Sequence, residues 1–284
     1  MKRSSTQSKE YIDPETGELV YAATLEPGDR LIKAEQLERN QLYKDQRFKR
    51  RFHHGRNYVV SYVDQVRKIA GDITLGEAGA LIRLLLHLRI KSEGVIMYEG
   101  RPARKSDIAK IFGVTRPTAN KYIDKFTEVG VLEVAEKQFV INRDYHAMGG
   151  RLKKQDFTKL YTVKAREIVG RLTLEEVGML YHFLPYFHYT RYYLCDNPTS
   201  DPDELEYIGP SRLGELLGIH RTLVSERMKR LQKAGAILVT GTRNETRYLV
   251  HPDLMFRQPE GTDTEWKRSV RSLFAAHDRK KKRG

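Results

Sequence analysis

Two segments of the chain combine arginine, asparagine, lysine and hydroxyl side chains at helical spacing, a set of groups suited to reading base pairs. In the first segment the outward residues are Arg116, Thr118, Asn120, Lys121 and Lys125. In the second they are Arg221, Thr222, Ser225 and Lys229. Arginine pairs with two acceptor atoms of guanine, and asparagine pairs with adenine, when the side chain reaches the major groove of duplex DNA. We therefore expect both segments to contact DNA, with Arg116 and Arg221 as equivalent residues.

The apolar residues of the same segments recur every three or four positions, which predicts an amphipathic helix for each. The buried stripes are Ala119, Ile123 and Phe126 in the first helix, and Val224, Met228 and Leu231 in the second. The helices are expected from about 116 to 128 and from 221 to 233. Gly130 and Gly235 follow, in the position where glycine commonly ends a helix.

Both helices belong to a pattern that occurs twice along the chain. Residues 71–79, GDITLGEAG, return as GRLTLEEVG 99 residues later, at 170–178. The block that begins at Ser106 returns at Ser211, 105 residues later, so the second copy carries an insertion. The apolar positions stay in step although letter identity is low. Repetition of this kind predicts one structural unit built twice.

Each copy predicts three helices in the same order. A threonine followed three residues later by a glutamate has the spacing of a capping box, which marks the start of the first helix. These pairs are Thr74 with Glu77, and Thr173 with Glu176. Pro185 is expected to kink or end the first helix of the second copy. The short second helix is expected to stop at Gly113 or Gly218, and the amphipathic helix described above is the third.

Two β-prone runs complete each copy and predict a hairpin. They are VLEV and QFVI around the turn AEK, and AILV and RYLV around the turn TGTRNET. Arg243, Asn244 and Arg247 surround the second tip, where they would suit phosphate or minor-groove contacts. Three helices followed by a hairpin is the winged-helix plan, which contains the helix-turn-helix motif. The expected fold class is therefore mainly α with small β-hairpins (α+β), as tandem winged-helix domains.

The repeats also set the expected domain boundaries. Residues 1–56 are predicted to form a basic, partly disordered N-terminal segment, and residues 57–148 the first winged-helix domain. A linker at 149–156 leads to the second winged-helix domain at 157–258. Residues 259–284 are expected to be a basic C-terminal tail with a short helix from about 264 to 276.

The charge balance favours an anionic partner. Lysine and arginine outnumber aspartate and glutamate 51 to 37, for a formal net charge of +14. Basic runs lie at residues 44–51 with His53, His54 and Arg56, at Arg151, Lys153 and Lys154, and at residues 278–283. Such runs add phosphate affinity through counterion release. Double-stranded DNA is the expected partner, whereas the oligomeric state, monomer or homodimer, stays open.

Other chemistries find little support in the sequence. DNA-nicking enzymes of the rolling-circle type need a histidine pair flanking one apolar residue and a nucleophilic tyrosine, but the histidines here are scattered. Tyr122 and Lys125 have a Tyr-x-x-Lys spacing, yet Tyr122 fits better on the flank of its helix. No glycine-rich loop ends in Gly-Lys-Ser or Gly-Lys-Thr, the signature of a phosphate-binding loop. We expect no enzyme activity and no cofactor.

Two further features bound the interpretation. Asp196, Asp201, Asp203, Glu204 and Glu206 cluster in the insertion of the second copy, and we interpret them as a solvated loop rather than a cation site. Cys195 is the only cysteine, which excludes an intramolecular disulfide and a thiolate zinc site. No apolar run is long enough to span a bilayer or serve as a signal peptide. These features favour a bacterial cytoplasmic protein without a membrane partner.

The segments that close the two copies resemble a known family. The strand of each copy is followed by Asn-Arg-Asp-Tyr at 142–145 or His-Pro-Asp-Leu at 251–254. Together with the two helix-turn-helix units, these segments resemble winged-helix replication proteins of bacterial plasmids and phages, particularly RepL-type initiators. The stretch DPETGE at 13–18 is similar to leader segments of such proteins.

The resemblance implies binding to a replication origin, local DNA distortion and recruitment of host replication proteins. Transcription regulators of the MarR type share the same helices and wing. A winged-helix repressor or activator therefore remains the alternative.

Overall fold

The computed structural model describes residues 8–12, 19–23, 57–90, 92–149, 155–242, 245–257 and 265–281. It is an α+β structure with small antiparallel sheets, as the sequence predicted. The chain divides into two units, residues 1–54 and 55–284. In the first unit β1 (Ser8–Ile12) pairs antiparallel with β2 (Leu19–Ala23), with Ser8 opposite Ala23. The sequence did not predict these strands, and the basic run at 44–56 and the stretch 13–18 lie outside the described residues.

The second unit contains both copies of the repeated pattern. Repeat 1 consists of β3 (Tyr58–Tyr62), α1 (Val63–Asp72), α2 (Leu75–Leu85), β4 (Met97–Tyr98), β5 (Arg101–Pro102), α3 (Lys105–Phe112), α4 (Arg116–Glu128), β6 (Leu132–Ala135), β7 (Gln138–Ile141) and β8 (His146–Ala147). Repeat 2 consists of β9 (Phe157–Tyr161), α5 (Thr162–Val169), α6 (Leu174–Phe183), α7 (Pro210–Leu217), α8 (Arg221–Ala234), β10 (Ile237–Gly241), β11 (Thr246–Val250) and β12 (Met255–Phe256). A last helix, α9 (Glu265–Lys281), follows repeat 2.

The prediction of three helices in each copy was wrong, because α1 and α5 precede the capping-box helices and give each repeat four. The local signals nevertheless mark the starts of α2 and α6 correctly. Both predicted capping boxes form, at the start of α2 and of α6, with the threonine side chain accepting from the glutamate backbone and the glutamate accepting in return. Helix α6 ends at Phe183, ahead of Pro185. The second hairpin differs from the expectation, because β10 and β11 stay paired as far as Gly241 opposite Thr246, within the predicted turn.

A four-stranded antiparallel sheet joins the two repeats, and the sequence did not predict it. Its order is β12-β9-β3-β8, so each repeat contributes two adjacent strands. In the central pair Tyr58 lies opposite Tyr161, Val60 opposite Lys159 and Tyr62 opposite Phe157. Because each central strand occupies the same place in its own repeat, this register relates the repeats by an approximate two-fold axis.

Helices α2 and α6 cross on the same axis. A side-chain carbon added at Gly79 would overlap the backbone of Leu174, and one added at Gly178 would overlap the backbone of Leu75. The two contacts are reciprocal, since Gly178 and Leu174 are the repeat 2 equivalents of Gly79 and Leu75. Glycine is therefore required at both positions for the helix backbones to touch, and this contact sets the orientation of one repeat against the other.

Helix α9 packs on repeat 2 and is longer than the predicted short helix. Val270 and Phe274 are buried, and the Phe274 ring lies 4.4 Å from the His251 ring. Arg271 Nη2 lies 2.8 Å from Asp253 Oδ1, and these two groups fix the helix by an ion pair. Within the described part of the chain, no helix is both long and apolar enough to cross a bilayer.

Candidate nucleic-acid interface

Helices α3 and α4 form a compact pair in repeat 1, and α7 and α8 form its counterpart in repeat 2. The turn between the helices contains Gly113 with φ of 71° or Gly218 with φ of 64°, in the left-handed region that favours glycine. In repeat 2 the Ile219 amide donates to the Gly214 carbonyl at 3.0 Å. A side-chain carbon at Gly214 would lie 2.7 Å from the Ile219 oxygen, so the repeat 2 turn is too tight for one without a shift of this oxygen. The repeat 1 turn accommodates Ala109 at the equivalent position, with the Val114 amide donating to its carbonyl at 3.2 Å.

Polar contacts fix both ends of α3. Asp107 is buried, and its Oδ2 accepts from the Arg104 amide at 2.9 Å and from Arg101 Nη1 at 2.7 Å. The hydrogen bond from Arg101 lowers the pKa of Asp107, so its carboxyl group stays ionised at the start of the helix. At the other end Arg83 Nη1 donates to the Phe112 carbonyl at 2.6 Å and ties α3 to α2. These contacts hold both ends of α3, the helix on which α4 packs.

The predicted face of α4 is open to solvent along its first two turns. Arg116 and Lys121 are exposed, and Thr118 and Asn120 are half-buried. The predicted apolar stripe of α4 is buried, as is that of α8. A cavity of about 300 Å³ lies beside the start of α4, and both Arg116 and Asn120 line it. It is lined by Lys105, Ser106, Arg116 and Asn120.

Lys105 and Ser106 are members of this surface that the sequence analysis missed. Both lie in the first turn of α3 and are exposed. A signal was available, because Ser106 aligns with Ser211, which is also exposed at the start of α7. The structure thus extends the candidate interface from α4 to the beginning of the preceding helix.

Lys125 and Tyr122 are placed differently from the other polar residues of α4. Lys125 is half-buried, and its Nζ lies 3.3 Å from Glu128 Oε2, so its charge is partly used within the helix. The Tyr122 ring packs between Phe112 and Phe126, with centroids 6.0 and 6.4 Å away. Burial raises the pKa of Tyr122, which disfavours the phenolate that a nucleophile requires. Its surroundings are those of a packing residue.

The predicted face of α8 is similarly exposed. Arg221, Thr222 and Lys229 are exposed, and Ser225 is half-buried with its Oγ donating to the Arg221 carbonyl at 3.1 Å. His220 caps the helix, since its Nδ1 accepts from the Thr222 amide at 3.4 Å. Arg221 and Arg116 therefore occupy the same place, the first residue of the exposed helix in each repeat.

The second hairpin is only partly described. Arg247 is half-buried and lies 2.8 Å from Glu245 Oε2, and its guanidinium stacks 4.1 Å from the centre of the Tyr207 ring. Tyr207 belongs to the insertion of repeat 2, which packs on this hairpin. Arg247 is therefore held along the strand, while Arg243 and Asn244 lie outside the described residues.

The segments that carry the family resemblance form equivalent turns. The Asp144 amide donates to Asn142 Oδ1 at 2.9 Å, and the Asp253 amide donates to His251 Nδ1 at 3.0 Å. Asn142 Nδ2 also donates to the Gly130 carbonyl at 3.1 Å, just beyond the end of α4. In the structure these side chains close the turn that leads each hairpin back to the shared sheet.

Polar contacts hold the acidic insertion, some of them to α7 and others within the insertion itself. Arg212 donates two hydrogen bonds to Asp196, from Nε to Oδ2 at 3.0 Å and from Nη2 to Oδ1 at 3.3 Å. Asn197 bridges the insertion by donating to the Glu204 carbonyl at 2.7 Å and accepting from the Glu206 amide at 2.9 Å. Across the described ranges, no three or more His, Cys, Asp or Glu residues are grouped so that they could hold a metal ion.

Comparisons with known proteins add no relative. No family model matches the chain, and no match is found among the curated proteins or the solved structures.

Proposed function

We propose that this chain is a sequence-specific binding protein for double-stranded DNA, in which each repeat is a winged-helix unit and α4 and α8 are the recognition helices. The proposal rests on the fact that Arg116 and Arg221 are both exposed and occupy equivalent positions in the two repeats. Each is the first residue of a helix that follows a short helix and a tight glycine turn. A β-hairpin comes directly after this helix. This is the order of elements through which helix-turn-helix proteins place base-reading side chains in the major groove. The net charge of +14 supports an anionic partner.

The approximate two-fold axis supports a specific arrangement of the DNA target. Two units related by a two-fold axis present their recognition helices in opposite directions, as a homodimer does, so their half-sites are inverted. The half-sites would be unequal, because α4 offers Asn120 and Lys121 where α8 offers Ser225 and Glu226. We therefore propose an imperfect inverted repeat, bound by one chain, with half-site centres about 34 Å apart.

The first experiment replaces both leading arginines. A target is selected from random duplexes with the full chain, and its affinity is compared for the wild type and for Arg116→Ala with Arg221→Ala. Each arginine that reads a guanine contributes about 1–3 kcal/mol, so the Kd should rise about 30-fold or more. The charge-matched control is Arg89→Ala with Arg268→Ala, two exposed residues outside both helix pairs. An equal loss in the control, or none in the test variant, would refute the proposed reading helices.

The second experiment tests the arrangement of the half-sites. The selected half-sites are rebuilt as an inverted repeat and as a direct repeat with the same spacing and composition. The inverted duplex should bind more tightly, since only there can both helices engage at once. Equal affinity, or a preference for the direct repeat, would contradict the role of the two-fold axis.

We further propose that the DNA is a replication origin of a plasmid or phage, which rests on the resemblance of the sequence to replication initiators. The gene and its flanking DNA are placed on a circle that cannot otherwise replicate in a bacterial host. Establishment of the wild-type circle, and failure of the circle encoding the Arg116 and Arg221 variant, is the expected result. Failure of both circles, together with repression of a promoter by the wild type, would assign the regulator role instead.

A further inference from the structure

A basic cleft lies in repeat 2 beside the end of α8. It has a volume of about 510 Å³ and is lined by Arg171, Glu176, Arg230, Lys233 and Ala234. Arg171 lies in the turn between α5 and α6, and Arg230 and Lys233 lie in the second half of α8. The buried Glu176 accepts from Arg230 Nη1 at 3.0 Å. Three cations and one carboxylate give the lining residues a net charge of +2.

The equivalent positions of repeat 1 carry the opposite charge. Asp72 replaces Arg171, Lys125 replaces Arg230, and Glu128 replaces Lys233, while Glu77 matches Glu176. Three carboxylates and one lysine give this set a net charge of −2. Asp72 is exposed, and the Glu128 side chain is 70% exposed. The basic cleft of repeat 2 and the acidic set of repeat 1 therefore occupy equivalent positions about the two-fold axis but carry opposite net charges.

An acidic groove adjoins the repeat 1 surface. It has a volume of about 490 Å³ and lies between α4 and the β6–β7 hairpin. It is lined by Lys105, Ile123, Asp124, Thr127, Glu128, Val134 and Phe139. Glu128 belongs both to this groove and to the acidic set, and Val134 is 54% exposed on the groove wall. Asp124 and Glu128 against Lys105 give the groove a net charge of −1. Its carboxylates lie beside apolar residues, along which the aliphatic part of a lysine or arginine side chain can pack.

We propose that the basic cleft of one copy of this chain binds the acidic groove of a second copy. Contacts between two clefts or between two grooves would place like charges together, so charge selects the unlike pair. A contact between different surfaces of identical chains is heterologous, so copies can be added until the assembly closes into a ring or continues as an open chain. The proposal concerns the free protein, and it does not depend on the proposed DNA binding.

Lys233 and Glu128 allow a test by exchange, since each occupies the position that the other holds in the opposite repeat. Lys233→Glu makes the cleft resemble the groove, and Glu128→Lys makes the groove resemble the cleft. Both residues are exposed on helix surfaces, so we expect the fold of the full chain to tolerate each change. In the double variant residues 233 and 128 again carry opposite charges, with the signs reversed, while the net charges of the cleft and of the repeat 1 set both become zero.

The measurement is sedimentation velocity of the full chain without DNA, at about 0.05 M and about 0.3 M salt. The Debye length falls from roughly 14 Å to roughly 6 Å between these conditions. The wild type should associate at low salt, with an association constant at least about tenfold lower at high salt. Each single variant should lose about tenfold at low salt, and the double variant, which restores only the attraction between residues 233 and 128, should associate about threefold more tightly than either single variant.

A monomeric wild type at both salt concentrations would overturn the proposal, and so would a double variant that recovers nothing. The competing occupant of the cleft is the phosphate backbone of DNA, which a second measurement separates. If Lys233→Glu weakens binding to a duplex with one target site while Glu128→Lys does not, and neither changes self-association, the cleft is a phosphate contact and the proposal fails. Loss of DNA binding by the Arg116 and Arg221 variant concerns the proposed function alone.

Discussion

Gly79 of α2 and Gly178 of α6 lie where the helix backbones of the two repeats touch, and Gly79→Ala tests that contact. The added methyl carbon would overlap the carbonyl oxygen of Leu174, and it would lie 2.8 Å from the carbonyl carbon of Leu174 and 3.1 Å from the amide nitrogen of Gly178. Carbon atoms pack at about 3.5–4.0 Å, so relieving the contact with the carbonyl carbon alone requires the helices to separate by about 1 Å, and the overlap with the oxygen requires more. The obstructing atoms belong to a helix backbone and cannot rotate away.

The expected cost follows from two opposing effects. Overpacking at a rigid contact costs about 3 kcal/mol, the upper part of the usual range. Replacing glycine by alanine within a helix returns about 1 kcal/mol through helix propensity. We therefore expect Gly79→Ala to lower the free energy of unfolding by about 2 kcal/mol.

Chemical denaturation of the full chain, followed by circular dichroism, measures this change. The matched control is Gly71→Ala in α1, where nothing lies within 4 Å of the added carbon. Here only helix propensity acts, and the free energy of unfolding should rise by up to about 1 kcal/mol. If both variants change stability in the same direction, the close helix contact is not what glycine serves at position 79.

Three further predictions concern buried ionisable side chains and the positive charge of the chain. Burial lowers the pKa of His146 to about 3, and of His182 and His251 to about 4, from the ordinary 6.5. Only the unfolded chain then takes up these protons below pH 6.5, so the free energy of unfolding should be constant above that pH and fall steeply towards pH 4. A flat profile from pH 7 to 5 in denaturant titrations would contradict it. Glu176→Ala should cost more than Glu77→Ala, about 2 against about 1 kcal/mol in the same titrations, because Glu176 is also buried against an arginine. Equal losses would argue against that ion pair. Binding to target DNA should weaken with salt at a log–log slope between about −5 and −9, and a slope shallower than about −2 would contradict broad phosphate contact.

The sequence predicts what neighbouring residues determine. Thr74 and Glu77 are three residues apart, and their hydrogen bonds depend on little beyond that spacing, so the start of α2 was predictable. The same holds for the exposed face of α4, which follows from helical periodicity once Ile123 and Phe126 are assigned to the core. The pairing of Lys125 with Glu128 was also visible as a three-residue spacing, although the prediction placed Lys125 among the reading residues.

Contacts between distant residues were not predictable in the same way. Strands β3 and β9 are five residues each and pair across 99 positions, and nothing local to YVVSY specifies FTKLY as its partner. The repeat itself held a signal, because Tyr58 and Phe157 stand at the same offset as Gly71 and Gly170. The stacking of Arg247 on Tyr207 depends on how the insertion folds over the hairpin, which neither segment shows alone.

The shared sheet has a consequence for how the halves of the molecule can change. The inner strands β3 and β9 form backbone hydrogen bonds with each other along one edge. A repeat separated from the other would therefore expose that strand edge, together with the helix surface around Gly79 or Gly178. Two such identical fragments could meet through the same surfaces. The two repeats thus have the arrangement of a dimer whose subunits are joined in one chain. In such a chain the exposed side chains of one repeat can change by mutation while those of the other stay the same.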